Sequence, residues 1–230
     1  MNGVSMLELN VVGFEESLVL TDFTAIVAGY TGRDQEAVNH HIQELAEIGV
    51  PPPPHTPTFY LMDSSSVTTA SNIAVEAAKS SGEVEPVYIR AGGRFYLGVG
   101  SDHTDRELET SDIAESKRAC PKPMGKKVIP VEDIDALELD DLVAVTVAGG
   151  EEYQRGQLST LLNPADLLPR MQEELQLGDQ DFVVFGGTLP LLEGGFRYAA
   201  RWELSIETRN DSTPLNGLPL SHAYTIETKG

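Results

Sequence analysis

Three carboxylates, Glu83, Glu85 and Asp102, are spaced so that they could bind a hard divalent cation. Glu83 and Glu85 are two positions apart, which puts both side chains on one face of a β-strand. Asp102 follows at the point where the next predicted strand ends. Three convergent carboxylates could supply three of the oxygen ligands that a hard divalent ion prefers. The alternative is a solvent-facing pair of glutamates on an edge strand of an acidic protein.

The strands that must position these carboxylates form a predicted β-hairpin. Residues 83–90 and 94–99 contain many β-branched and aromatic side chains, and Ala91-Gly92-Gly93 between them favours a turn. The two glutamates then share a face with the apolar residues Val87 and Ile89. Neighbouring carboxylates on a partly buried face repel each other and resist desolvation, so the pair requires a cation or protons.

A second candidate group, His41 and Glu44, lies on a predicted helix. Thr31 or Asp34 can cap the start of this helix, Gly49 can end it, and the four prolines that follow prevent its continuation. Residues three apart are neighbours on a helix surface, so Glu44 could orient the His41 imidazole for general-base catalysis. The same spacing also suits an ordinary surface pair.

A third candidate is Lys117, one of six lysines in the chain. Residues 104–117 are predicted to form one helix, with Thr104 as its N-cap and Glu107 completing a capping box. Lys117 then lies at the end of this helix, just before the break at Cys120-Pro121. Taken alone, this pattern indicates a solvated helix end.

The charge of the chain limits the classes of function. The 230 residues include 36 acidic and 16 basic side chains, which gives a formal charge of −20. This excess argues against binding to nucleic acid or to an anionic membrane surface. An anionic substrate would need a local reversal of charge by a metal, a lysine or an arginine. Halophilic adaptation is a second explanation of the acidity.

Length, cysteine content and hydropathy predict one cytoplasmic domain. A chain of this length can bury a single large core. The single Cys120 excludes an intramolecular disulfide and suits a reducing compartment. The first residues lack the basic and apolar regions of a signal peptide, and no apolar run approaches the roughly 18 residues that span a bilayer.

Six short segments, in this order, resemble motifs of the fumarylacetoacetate hydrolase superfamily. Tyr30 with His41-x-x-Glu44 resembles Asn-Tyr-x-x-His-x-x-Glu, and Glu83-Val84-Glu85 resembles a metal-binding Glu-x-Glu. Residues 101–109 resemble Asn-Asp-Val-Thr-Ala-Arg-Asp-Leu-Gln, and Lys117 precedes Cys120-Pro121 as an active-site lysine precedes a Cys-Pro-x-Gly-Pro turn. Residues 153–156 resemble Arg-Gln-x-Gly, and residues 177–188 resemble Leu-x-Pro-Gly-Asp leading to Thr-Gly-Thr-Pro. The resemblance covers most of the chain and is greatest to a bacterial branch without a settled reaction.

Four features depart from the superfamily pattern. Phe-Leu-Lys-Pro is replaced by Tyr60-Leu61-Met62-Asp63, which loses a basic residue, and Glu109 replaces a glutamine. Leu189 interrupts the final Thr-Pro, and the interval from Glu85 to Asp102 is shorter than usual. These changes affect the expected substrate more than the expected fold or metal site.

The resemblance implies a mixed α/β, β-rich fold with a rolled β-sheet and a few peripheral helices. It implies a single domain over residues 1–230, in which residues 1–56 provide N-terminal strands and a lid helix and residues 57–230 form the metal-binding core. It also implies a homodimer.

The resemblance further implies roles for individual residues. Glu83, Glu85 and Asp102 would hold Mg²⁺ or Mn²⁺, Glu44 would orient His41 for proton transfer, and Lys117 would offset negative charge. The residues expected to contact a small anionic substrate are Arg106, Glu109, Gln154, Gly187 and Thr188. We therefore expect a metal-dependent hydrolase or lyase that cleaves or decarboxylates a small 2-oxo acid. The alternatives are a 2-hydroxydienoate hydratase or dehydratase, and a non-catalytic protein that binds a metal or metabolite.

Overall fold

The computed structural model describes residues 6–47, 52–192, 195–209 and 215–229, apart from the side chains of His41, Glu44 and Leu45. The helices are α1 (Gln35–Glu47), α2 (Arg106–Glu109), α3 (Ile113–Arg118) and α4 (Pro164–Glu174). The first strands are β1 (Leu7–Val11), β2 (Ser17–Leu20), β3 (Thr24–Gly29), β4 (Thr58–Met62), β5 (Val67–Thr68), β6 (Asn72–Val75) and β7 (Ser80–Ser81). The next are β8 (Val84–Ala91), β9 (Arg94–Ser101), β10 (Thr104–Asp105), β11 (Lys122–Pro123) and β12 (Lys127–Val131). The last are β13 (Leu142–Ala148), β14 (Glu151–Gln157), β15 (Phe182–Phe185), β16 (Arg201–Thr208) and β17 (Leu220–Thr228).

The larger sheet has eight strands in the order β2-β1-β12-β9-β8-β15-β3-β4. Its centre is the hairpin of β8 and β9, whose antiparallel register runs from Val84 opposite Ser101 to Ala91 opposite Arg94. Gly92 and Gly93 both have positive φ angles, so the predicted turn is present and glycine satisfies its geometry. Residues 182–185 form β15, which pairs with β8 on one side and with β3 on the other.

The smaller sheet has five strands in the order β14-β13-β16-β17-β6 and packs against the hairpin. Side chains alternate along β8, so Val84 and Tyr88 enter the cluster that also contains Trp202 and Tyr224 of the smaller sheet. Val87 and Ile89 enter a second cluster on the opposite face of the larger sheet. Both faces of the hairpin are therefore buried, as is typical of a central pair of strands. The prediction of a mixed, β-rich fold with few helices is confirmed.

The helices differ from prediction in one place. Asp34 begins α1, because its side chain accepts from the amides of Glu36 (3.0 Å) and Ala37 (3.2 Å); the predicted end at Gly49 lies outside the described residues. The single helix predicted for residues 104–117 is wrong. Asp105 caps α2 and Asp112 caps α3, so two short helices replace it, and Thr104 belongs to β10.

No helix in the described parts of the chain is long and apolar enough to cross a membrane.

Candidate metal and substrate site

The hairpin brings the three predicted carboxylates together where β8 begins and β9 ends. Beyond the last strand pair, the amide of Asp102 donates to the carbonyl of Glu83 (3.1 Å), which extends the ladder by one step. Glu83, Glu85 and Asp102 are 9%, 2% and 0% exposed. The alternative of a solvent-facing pair of glutamates is therefore wrong, and these charges need compensation inside the protein.

Two lysines bind the carboxylate of Asp102. Lys117 donates to Oδ2, and the ammonium of Lys122 lies 3.2 Å from Oδ1. Burial alone would raise the pKa of Asp102, but Lys117 and Lys122 together hold it well below its usual range. Burial disfavours a charged Lys117, yet Asp102 and Glu85 raise the pKa of its ammonium above the usual value. Asp102 is thus a buried anion that is kept ionised.

Arg106 compensates Glu83. Its Nη2 lies 3.0 Å from Glu83 Oε2, while Nη1 donates to both carboxylate oxygens of Glu109 at 3.0 and 2.8 Å. Its Nε donates to Ser81 (2.6 Å), and its guanidinium covers the ring of Phe196 at 4.1 Å. Burial raises the pKa of Glu83, and Arg106 opposes this rise. The guanidinium, predicted to bind substrate, is occupied by protein groups, and a substrate role for it stays a prediction.

Glu85 has the least compensation of the three carboxylates. Its Oε2 accepts from the amide of Gly187 (2.9 Å), and no ion pair to Glu85 occurs among the described residues. Burial, followed by the nearby charge of Asp102, raises the pKa of Glu85 well above its usual value. A cation bound beside Glu85 would therefore stabilise the ionised form of this buried carboxylate.

The donor set suits a hard divalent cation. The residues are all carboxylates, and Glu85 is buried with one backbone donor. Within the described residues, no three acidic, histidine or cysteine side chains already lie at mutual distances that would hold a metal ion. Metal binding by all three carboxylates would therefore require a change in the positions of these side chains.

Gln154, Gly187 and Thr188 form a hydrogen-bonded wall beside β8. Gln154 accepts from the amide of Val84 (2.9 Å) and from Thr146 (2.9 Å), and donates to Thr188 (2.9 Å) and to the carbonyl of Leu189 (2.7 Å). The amide of Gln154 is thus engaged on both its oxygen and its nitrogen. Substrate contacts by these residues stay a prediction.

Tyr60 and Tyr30 lie near Lys117. The Lys117 ammonium is 5.6 Å from the centroid of the Tyr60 ring, a distance that allows a cation–π interaction. Burial raises the pKa of Tyr60 to about 12. Tyr30 has a φ of 58°, which is a left-handed conformation and is uncommon for an aromatic residue. Residues in such conformations cluster at functional sites.

A buried network of hydrogen bonds connects His103 to the backbone of Glu83. The imidazole of His103 makes contacts of 3.0 Å with the hydroxyls of Tyr224 and Ser80, and Tyr224 donates to Ser101 (3.0 Å). Ser101 in turn accepts from the amide of Glu83 (3.1 Å). Burial lowers the pKa of His103 to about 3, so the ring is neutral at pH 7. The motif analogy assigned no role to His103, Tyr224 or Lys122.

His41 and Glu44 lie on α1, but their side chains are outside the described part of the structure. Their predicted role as a catalytic pair is therefore untested.

Residues 28–224 match the model of a family described as "Protein of unknown function (DUF2848)". No protein of curated function shows significant sequence similarity to the chain.

Several solved structures have the same architecture as this chain, and the three described next are named as enzymes. Fumarylpyruvate hydrolase from Pseudomonas aeruginosa, crystallised with Mn²⁺ and pyruvate, aligns over 98% of this chain and 97% of its own, with a TM-score of 0.63 and 17% identity. 5-Carboxymethyl-2-hydroxymuconate delta-isomerase from Mycobacterium smegmatis aligns over 94% of this chain and 87% of its own, with a TM-score of 0.58 and 16% identity. 2-Hydroxyhepta-2,4-diene-1,7-dioate isomerase from Mycobacterium marinum aligns over 94% and 82%, with a TM-score of 0.54 and 13% identity. The fold inferred from the motifs, that of the fumarylacetoacetate hydrolase superfamily, is confirmed.

Proposed function

This chain belongs to the DUF2848 family, and we propose that it is a Mg²⁺- or Mn²⁺-dependent hydrolase or lyase acting on a small 2-oxo acid. The observation that carries the proposal is the burial of Glu83, Glu85 and Asp102 at one end of the central hairpin, with Glu85 unpaired by any cation in the described residues. The fumarylpyruvate hydrolase of the same fold, crystallised with Mn²⁺ and pyruvate, supports the choice of ion and substrate class.

The three carboxylates would hold the ion. When bound, it supplies positive charge that polarises a carbonyl oxygen and stabilises negative charge developing on the substrate. The contribution of the protein is an ordered site: Ser101 accepts from the amide of Glu83, Gln154 accepts from the amide of Val84 between the two glutamates, and the amide of Gly187 donates to Glu85. This fixation limits the reorganisation that binding and reaction would otherwise require.

The cations around the site, together with a bound metal ion, would offset the repulsion between an anionic substrate and a chain of charge −20. Four carboxylates, those of Glu83, Glu85, Asp102 and Glu109, lie beside three buried cations, Arg106, Lys117 and Lys122. A divalent ion would make this region positive, so the site would attract an anion that the rest of the surface repels.

Lys117 is the residue of this cluster best suited to contact the substrate. Its side chain is 10% exposed, and Asp102 is its only hydrogen-bond acceptor among the described residues. Two of its three N–H groups therefore remain to donate to a substrate carboxylate or to an oxygen that gains charge. In the proposed reaction His41, oriented by Glu44, moves the proton.

A substrate screen with a matched pair of variants tests this function. Acylpyruvates, oxaloacetate and 2-hydroxydienoates are incubated with Mg²⁺ or Mn²⁺, and turnover is measured for the wild type, His41→Ala and His40→Ala. We expect His41→Ala to reduce turnover by about 10² to 10⁴, with unchanged metal affinity, and His40→Ala, one position away on the same helix, to retain activity.

Two outcomes would contradict the proposal. Metal binding without turnover of any of these 2-oxo acids would support a non-catalytic binding protein. Equal turnover by His41→Ala and wild type would remove the proposed base while leaving the metal site in place.

A further inference from the structure

Lys122 lies in the carboxylate site, and its side chain is fully buried. Its ammonium donates to the carbonyl of His103 (2.6 Å) and to the carbonyl of Lys117, and lies 3.2 Å from Asp102 Oδ1. An ammonium has three N–H donors, so these three acceptors use all of them. Lys122 therefore has no donor left for a substrate, and any effect on chemistry must pass through the groups that it binds.

Lys117 binds the other oxygen of the same carboxylate in a different way. Its side chain is 10% exposed, and within the described residues its ammonium donates to Asp102 alone. It can exchange this partner for a substrate oxygen without leaving a backbone group unpaired. The two lysines on Asp102 thus differ: one is fixed by three protein oxygens, and the other is held by one.

Lys122 also links three segments of the chain. It joins the end of β9 at Asp102 and His103 to the last turn of α3, which carries Lys117. Its own strand, β11, is anchored separately, because β11 pairs with β5 and the amide of Met124 donates to Thr68 (2.8 Å). This one ammonium therefore connects Asp102 and His103 to the backbone of the helix of Lys117, in addition to the direct bond from the Lys117 side chain to Asp102.

The cost of burying Lys122 indicates that the cross-link has a purpose beyond packing. Removing an ammonium from water is costly even when it is paired, and an apolar side chain of similar length would avoid that cost. An apolar residue would, however, remove the Lys122 donor from two backbone carbonyls and leave Asp102 Oδ1 with only the long bond from the Thr104 hydroxyl (3.4 Å).

We propose that Lys122 is a positioning residue that holds Asp102 and the helix of Lys117 in place, so that Asp102 can accept a divalent cation while Lys117 turns to the substrate. This inference rests on the proposed function. It assigns Lys122 to the same site but gives it no contact with the substrate.

The sign of the change in metal affinity tests the proposal. Mn²⁺ binding is measured by calorimetry for Lys122→Met, Lys117→Met and the exposed-lysine control Lys126→Met. Each change removes one positive charge, and loss of a positive charge beside Asp102 should by itself favour a cation. We expect Lys117→Met to bind Mn²⁺ at least as tightly as wild type, Lys126→Met to bind within twofold, and Lys122→Met to bind at least tenfold more weakly. If Lys122→Met binds as tightly as wild type, the positioning role is wrong.

A measurement without metal separates this inference from the proposed function. Hydrogen exchange of the amides in residues 101–104 and 113–118 should become faster in both segments in Lys122→Met, and should remain near the wild-type rate in Lys117→Met. Unchanged hydrogen exchange in Lys122→Met would overturn the positioning role of Lys122, whether or not the wild type binds Mn²⁺. Absence of Mn²⁺ binding by the wild type, taken alone, would contradict only the proposed function. Lys122→Gln, which keeps a neutral donor, serves as the second variant. If neither Lys122 variant folds, the residue is a structural cross-link alone and the proposal fails.

Discussion

Substitution of Gly82 by alanine should disrupt the hydrogen-bond network beneath the carboxylate site. A Cβ atom at this position would lie 2.2 Å from Tyr224 Oη and 2.6 Å from Ser101 Oγ. Both distances are shorter than any normal carbon–oxygen contact, so the Tyr224 hydroxyl would have to move by about 1 Å. That movement breaks its contacts with His103 and Ser101, which are both 3.0 Å long in the structure.

The expected loss of stability follows from these contacts. Each of the two buried hydrogen bonds contributes about 1 kcal/mol, and crowding in a packed interior costs about 1–3 kcal/mol. Gly82→Ala should therefore lower the free energy of unfolding by about 3–5 kcal/mol. In a chain of this size the change corresponds to a fall in Tm on the order of 10 °C. Urea denaturation followed by tryptophan fluorescence measures it, because Trp202 packs against His103.

A double-mutant cycle with Tyr224→Phe checks the cause. Tyr224→Phe removes the atom nearest to the new Cβ, and with it both hydrogen bonds of the hydroxyl. The double variant should be more stable than the sum of the single effects predicts, by at least about 1 kcal/mol, because the two changes disrupt the same contacts. Strictly additive effects, or a Gly82→Ala protein as stable as the wild type, would refute the steric explanation.

Two further predictions concern the carboxylates and the buried histidine. Alanine at Glu83, Glu85 or Asp102 should weaken Mn²⁺ or Mg²⁺ binding at least tenfold, about 1.4 kcal/mol. Alanine at the exposed Glu132 is the control and should leave metal affinity unchanged. Wild-type affinity in all three site variants, measured by calorimetry, would exclude the metal site. Burial lowers the pKa of His103 to about 3. Between pH ~6.5 and this value, the unfolded chain binds a proton at His103 that the folded chain does not bind. The free energy of unfolding therefore falls with pH in this range, by up to about 1.4 kcal/mol per pH unit. Urea denaturation at pH 5 and pH 8 should show a smaller loss for His103→Gln than for the wild type, and equal losses would contradict this account.

The hairpin and its carboxylates could be predicted because their signals are local. Two glycines between runs of strand-forming residues specify the turn, and the alternation of side chains then puts Glu85 on the same face as Val87. The prediction of one helix over residues 104–117 failed through competing local signals. The side chains of Thr110 and Ser111 bond back to carbonyls of the preceding turn, and Asp112 starts a new helix by accepting from the amide of Glu115.

The roles of Lys122 and His103 could not be predicted, because their partners are distant or carry no sequence signal. Two of the three acceptors of Lys122 are backbone carbonyls, which every residue has. His103 depends on Tyr224, which lies on the opposite sheet. The run Cys120-Pro121-Lys122-Pro123 suggests only a break in a helix.

The position of β3 between β15 and β4 also has a consequence for the order in which the protein can assemble. Strand β3 is synthesised early and can pair at once with β4, but its other edge is completed only by β15, from the far end of the chain. Until then an apolar strand has an open edge that invites association with other chains. The hairpin of β8 and β9 needs only local contacts, whereas Glu85 gains the amide of Gly187 after β15 has docked. During synthesis, the hairpin can therefore bring the carboxylates together before Gly187, whose amide bonds Glu85, has been added to the chain.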